Sequence, residues 1–122
     1  MSQQKPTLVL GATPNENRYA YRATTMLIAA NHPVFLVGNK TGNIQGVPVR
    51  NGFPDDETVH TITLYLGAPR QRNYYKPILK SGAQRIIFNP GTQNPELEEL
   101  AKKEGIECVN ACNLVMLATQ QF

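Results

Sequence analysis

The chain has 122 residues, enough for one domain with a real core and too few for two, and at 41% hydrophobic and 17% charged it has an ordinary globular composition. Its formal charge of +3 comes without a Lys/Arg run, and the aromatics are not interleaved with basic residues, so no nucleic-acid surface is expected. Ala23 to Ala30 is the longest apolar-leaning segment, broken by Thr24 and Thr25 and too short for a bilayer, while Met1 to Pro6 runs directly into a strand, so neither a membrane span nor a signal peptide is expected.

Thr7–Gly11 is an apolar run of the kind buried on both faces of a sheet, and it ends on a glycine. Small and polar residues follow, and Tyr19–Asn31 then carries Tyr19, Ala23, Met26, Leu27 and Ala30 at helical spacing, stopped by Asn31-His32-Pro33. Val34–Val37 is the second strand, closed by Gly38. Thr41 to Gly52 is rich in Gly, Asn and Pro, with a small extended excursion at Val47–Arg50. The acids Asp55, Asp56 and Glu57 fit a solvated loop.

Thr61–Leu66 is the third strand, ended by Gly67-Ala68-Pro69, and Gln71–Ser81 is the next helix. Gln84–Phe88 forms the fourth strand, closed by Asn89-Pro90-Gly91. Pro95–Glu104 is a helix with its acids early and its lysines late, as the helix dipole favours. A short fifth strand, Glu107–Val109, precedes a final helical turn or two at Leu114–Thr119. This order predicts an α/β fold: a single Rossmann-like domain over residues 1–122, with a parallel five-stranded sheet and helices on both faces.

In such sheets ligands bind outside the carboxyl ends of the strands. The turns after Gly11, Gly38, Gly67 and Asn89-Pro90-Gly91 therefore lie along one edge where a long ligand can rest. The first turn and helix start, from Gly11 through Ala12, Thr13, Pro14 and Asn15, make an anion site of backbone N–H groups and helix dipole. Arg18 and Arg22, four apart, share a helix face beside it. A dinucleotide site would want G-x-G-x-x-G and an acid after the second strand. Only Gly11 of those glycines is present, and the second strand is followed by Gly38-Asn39-Lys40. Lys40 suits a phosphate on the ribose, which disfavours NAD and leaves coenzyme A, with its 3′-phosphate, or NADP.

His32 and His60 have no Ser, Cys or acid partner at a recognisable catalytic spacing, and no metal site is expected. Cys108 and Cys112 form a lone C-x3-C without a nearby His, a poor zinc signal, and are expected to be reduced thiols in a cytoplasmic protein.

Gly11-Ala12-Thr13-Pro14-Asn15-Glu16-Asn17-Arg18-Tyr19-Ala20-Tyr21-Arg22 resembles the loop and helix start of the CoA-binding domain family, small stand-alone proteins similar to the N-terminal domain of the succinyl-CoA synthetase α subunit. That family typically has G-A-S-x-x-x-x-R-x-S-Y-R here. Lys40, Pro69, Pro90-Gly91 and Cys112 match further family positions, and the resemblance covers nearly the whole chain. Ala20 stands where the family usually has Ser, Gly38-Asn39 replaces Asn-Pro, Gly67-Ala68 replaces a basic pair, and Ala111 replaces an Arg.

The resemblance implies capture of CoA or acyl-CoA by Gly11, Ala12, Thr13, Pro14, Asn15, Arg18, Tyr21, Arg22, Gly38, Asn39, Lys40, Gly67, Pro69, Asn89, Pro90 and Gly91. The pyrophosphate would sit on Gly11–Asn15 and the adenosine near Gly38, Asn39 and Lys40. No catalytic residue is assigned. The alternatives are an NADP-linked oxidoreductase-like protein and a regulatory module that senses CoA through a protein partner.

Overall fold

A computed structural model describes residues 4–55 and 57–122. Asp56 and the first three residues of the N-terminal stretch lie outside the described residues. Seven strands form one sheet: β1 (Thr7–Leu10), β2 (Val34–Val37), β3 (Asn43–Ile44), β4 (Val47–Arg50), β5 (Thr61–Leu64), β6 (Arg85–Phe88) and β7 (Glu107–Asn110). The helices are α1 (Tyr19–Ala29), α2 (Ala68–Gln71), α3 (Tyr75–Lys80), α4 (Pro95–Lys103) and α5 (Asn113–Ala118). The strand order is β3-β4-β2-β1-β5-β6-β7, with every pairing parallel except the β3–β4 hairpin.

The sheet thus has seven strands and not five. The Val47–Arg50 excursion is a full strand, pairing in parallel with β2 through Leu36–Val49 and Val37–Arg50. Its two-residue turn, Gln45 and Gly46, has both residues at positive φ, which matches the twist of a tight hairpin.

Residues of β1 alternate between two cores, one on each face of the sheet. Leu8 and Leu10 join Ile62, Leu64, Ile86 and Phe88 beneath Ile78 of α3 and Leu97 and Ala101 of α4. Val9 joins Leu36, Ile44 and Val49 beneath Ala20 and Leu27 of α1, with Leu117 of α5 packed alongside. Helices therefore cover both faces, as right-handed crossovers require.

The helix ends are chemically marked. Asn31, at φ 66, closes α1 with its own N–H on Ile28 O and the His32 N–H on Leu27 O, a paired capping arrangement that Asn tolerates better than most residues. Asn94 caps α4 by accepting the Leu97 N–H at 3.2 Å. The expected Gln71–Ser81 helix is broken into α2, a 3-10 turn at Arg72–Tyr74, and α3. Pro77 is the reason: it has no N–H to donate and its ring would strike the carbonyl of Asn73 in a continuous helix. No helix among the described residues is long and apolar enough to cross a membrane.

A buried network ties the carboxyl ends of β5 and β6 to the following helices. Gln71 is fully buried. Its Nε2 donates to Leu66 O and Thr92 O, both at 2.8 Å, and its Oε1 accepts from Asn94 Nδ2 at 2.9 Å. Asn89 Nδ2 donates to Thr63 Oγ1 and Leu64 O, and its Oδ1 accepts the Asn113 N–H at 2.7 Å. At the amino ends of the strands, the buried Arg85 donates from Nε to Thr61 Oγ1 at 3.1 Å and lies over the Phe122 ring at 4.5 Å. Lys5 Nζ donates to the Phe122 carbonyl, and the Lys5 N–H donates to His32 Nδ1 at 3.0 Å.

Replacing Gln71 by Leu keeps the volume but strands two buried carbonyls and one amide. Gln71→Leu is expected to lose about 2–4 kcal/mol of stability in urea unfolding. A loss below about 1 kcal/mol would mean that water replaces the network at little cost.

Burial, followed by the charges of Lys5 and Arg85, lowers the pKa of His32 below 6.5, and burial, followed by Arg85 and Lys5, does the same for His60, with Glu107 opposing. As pH falls below 6.5 the unfolded chain takes up these protons first. Their stabilising contribution is therefore complete above that pH and is lost below it. Melting temperature is expected to fall between about pH 6.5 and 5, less steeply in a His32→Asn, His60→Asn double variant. Equal slopes in both proteins would assign the acid sensitivity to other groups.

Candidate functional site

The apolar run of β1 ends at Gly11, where the chain turns across the end of β2. Gly11 and Ala12 both donate their N–H to Val37 O, at 2.8 and 3.0 Å. The loop lies so close to β2 that a Cβ on Gly38 would stand 2.1 Å from Ala12 O. Gly11, at φ 99, also lies close to the Tyr65 backbone, which a Cβ would meet at 2.9 Å. Both glycines are thus demanded by close backbone approach.

The expected anion site changes in detail. The Gly11 and Ala12 amides are spent on Val37, Asn15 N–H donates to Thr13 Oγ1, and Asn17 N–H to Asn15 Oδ1. Among the described residues, the amides of Thr13, Tyr19 and Ala20 donate to no protein acceptor, and all three residues face the same cleft. The free donors therefore come from the middle of the loop and the first turn of α1, where the helix dipole adds positive potential.

That cleft, of about 680 Å³, runs across the carboxyl ends of β2, β1, β5 and β6. Gly11, Ala12, Thr13, Asn15 and Arg18 line it from the first loop, and Gly38, Asn39 and Lys40 from the end of β2. Gly67 lines it after β5, and Pro90 and Gly91 after β6. The other expected residues stand elsewhere. Pro14 covers Gly42, where a Cβ would meet its ring at 2.9 Å. Tyr21 packs on the core beneath α1, and Arg22 lies 5.9 Å from the Tyr19 ring. Pro69 opens α2 as an exposed residue, and Asn89 is buried in the polar network. The Gly91 N–H is spent on Gln93 Oε1 at 2.9 Å.

The opposite wall is formed by residues that no sequence motif marks. Tyr65, Leu66, Arg70, Asn73, Tyr74 and Thr92 also line the cleft, with Tyr19 and Ala20 at its α1 side. Tyr74 is braced by Phe53, ring centroids 6.1 Å apart and nearly stacked. The Tyr65 hydroxyl is buried without a partner among the described residues, and burial, reinforced by Cys112, pushes the phenol above its ordinary pKa. Cys108 and Cys112 are free thiols, both half-buried, and burial raises the pKa of Cys108.

Among the described residues, three cations line the cleft, Arg18, Lys40 and Arg70, and no acid does. None of the three forms an ion pair among the described residues, whereas nearby Arg72 is turned to Glu96 at 3.5 Å and Lys102 to Glu98 at 3.1 Å. A long, acid-free cleft with free amides at a helix start and spare cations at separate points suits an elongated ligand with several anionic groups.

Comparison with known proteins gives the fold and the family. A crystal structure of an uncharacterized protein is 45% identical, covers 99% of this chain and 100% of its own, and superposes with a TM-score of 0.96. A hypothetical protein from Pyrococcus horikoshii OT3 is 24% identical over 95% of this chain and 82% of its own, with a TM-score of 0.85. A protein from Thermus thermophilus is 21% identical over 98% and 91%, with a TM-score of 0.86. These last two show a shared fold. No curated protein matches the chain. The model of the CoA binding domain matches residues 5–118, and the chain belongs to that family.

Proposed function

We propose that this chain binds CoA or an acyl-CoA in the cleft across β2, β1, β5 and β6. The observation that carries the reading is the acid-free lining in which Arg18, Lys40 and Arg70 stand without ion-pair partners. Membership of the CoA binding domain family supports the choice of ligand. The pyrophosphate rests on the Thr13 loop and the first turn of α1, where the Thr13, Tyr19 and Ala20 amides donate. Arg18 adds charge beside it. Gly11 and Ala12 shape the floor, and their lack of bulk lets the ligand approach.

Adenosine lies toward Gly38, Asn39 and Lys40, with the Lys40 ammonium beside the ribose 3′-phosphate. An ammonium is a compact point charge that suits a phosphate without fixed geometry. Pantetheine then runs past Gly67 toward Pro90, Gly91 and Thr92. The chain acts by holding the ligand, as a small-molecule binding domain of the cytoplasm. NADP shares the ribose phosphate but places it at the 2′ position, which makes it the informative competitor.

CoA is expected to raise the melting temperature, and NAD at equal concentration to leave it unchanged, since a ligand that binds the native state stabilises it by mass action. In calorimetry, Lys40→Ala should weaken CoA roughly fivefold more than it weakens dephospho-CoA, an effect on the scale of an exposed charge pair. A greater stabilisation by NAD or NADP than by CoA would overturn the ligand assignment. Equal weakening of CoA and dephospho-CoA would move the adenosine end away from Lys40.

A further inference from the structure

We infer that Phe122 is a clasp over the amino ends of the strands, and that it opens when His32 takes up a proton. The segment before β1 and the segment after α5 meet there. Gln120, at φ 60, turns the chain back from α5, and the Gln121 N–H is fixed to Met116 O at 2.7 Å. Phe122 then enters a cluster of basic side chains. Its ring lies 5.0 Å from the His32 ring and 4.5 Å from the Arg85 guanidinium, and its carbonyl accepts from Lys5 Nζ. The half-buried ring also packs against the core beneath α1.

The direction of one hydrogen bond makes His32 the trigger. The Lys5 N–H donates to His32 Nδ1 at 3.0 Å, so the neutral ring carries its proton on Nε2 and a second proton must enter at Nδ1. A backbone amide can only donate, so protonation ends that bond and sets two N–H groups against each other. His60 differs. Its Nδ1 lies 2.7 Å from Thr61 Oγ1, and a hydroxyl can donate or accept, so His60 keeps its partner in either state.

The surrounding charges act in the same direction. His32 is buried, and burial, followed by the charges of Lys5, Arg85 and His60, holds its pKa below 6.5. Arg85 is itself buried, with Nη2 unpartnered among the described residues. Glu107, the register partner of Arg85 on β7, is exposed, acts on His60 and Arg85, and forms no ion pair among the described residues. A proton on His32 therefore adds a buried cation beside Lys5 and Arg85 with no anion to receive it. Outward movement of Lys5 and Phe122 lets water reach the imidazolium and relieves that cost. The clasp is shut above pH 6.5 and opens as the pH falls below it, while the strands keep their own ladders.

The test follows the Phe122 ring, the Lys5 amide and the His32 imidazole by NMR from about pH 8 to 4.5. The Phe122 and Lys5 signals are expected to shift toward free-chain positions with the midpoint of the His32 imidazole, below 6.5, while the Val9 and Ile62 amides keep their native positions. In His32→Asn, whose side-chain oxygen can accept the Lys5 N–H without titrating, the shift should be lost, and in His60→Asn it should remain. Phe122 signals that stay in place while His32 titrates would overturn the inference, as would a Phe122 midpoint that differs from that of His32 or a shift that persists in His32→Asn. Protonation of His32 only together with loss of the native Val9 and Ile62 positions would overturn it too, because the event would then be global unfolding. The coincidence of midpoints in the wild-type protein decides the matter even where His32→Asn fails to fold.

Discussion

The Val37 carbonyl accepts two amides from the loop after β1, and this junction sets the position of everything above the sheet. It draws Gly11 and Ala12 down onto the end of β2 and leaves no space for a side chain at Gly38. The loop is thereby held by its first two residues, and Thr13 and the first turn of α1 are left with the unspent donors. Gly38 in turn donates its N–H to Arg50 O, which binds the junction to β4. One wall of the cleft is therefore a chain of backbone hydrogen bonds spanning β1, β2 and β4. Its geometry depends little on which side chains decorate it. Such a wall can keep its shape while the residues facing the ligand vary.

The other wall is built differently. It is held by side-chain amides, Gln71, Asn89 and Asn94, that bond backbone carbonyls and one another in the interior. Buried polar networks of this kind are stable only when fully satisfied. The two walls divide the labour: backbone geometry suits the invariant nucleotide part of a ligand, and a side-chain network presents Arg70, Asn73 and Tyr74. Both ends of the sheet carry cations, and the two sets differ in exposure. At the carboxyl ends the cations stand open to the cleft. At the amino ends Arg85 is buried and Lys5 half-buried around Phe122, and desolvation lowers the pKa of both.

Most of the sheet was legible because β1, β2, β5 and β6 are short apolar runs that end in turn residues. The parallel arrangement followed from the helices between them. β3 and β4 were obscured for local reasons. Asn43–Ile44 is too short to carry a pattern, and Pro48 in β4 argues against a strand until the strand is seen to sit beside the two-residue β3 with only Val47 and Val49 turned inward. Pro77 stood in plain view within the expected helix, yet its consequence, a 3-10 turn ahead of it, was missed. The first wall of the site was readable from Gly11, Arg18, Gly38 and Lys40, since a glycine turn at a strand end has a known geometry. The second wall was not. Arg70, Asn73 and Tyr74 face the cleft only because the helix breaks and turns there, and no periodicity in the sequence marks that event. Asn89 and Tyr21 flank the motifs of the expected site but do not line the cleft: Asn89 is buried in the polar network and Tyr21 packs, half-buried, on the core.

β1 is fully buried and sits at the centre of the sheet, pairing with β2 on one side and, from Thr7–Thr61 to Leu10–Leu64, with β5 on the other. β1 thus precedes both of its partners in the chain and is enclosed on both edges only when β5 emerges. Until β5 emerges, Thr7-Leu8-Val9-Leu10 offers an apolar edge with unpaired backbone groups. Closing the long loop that joins it to β5 must precede any reward from that pairing. The risk of misassembly is therefore concentrated in a kinetic window during synthesis, before Thr61–Leu64 has left the ribosome.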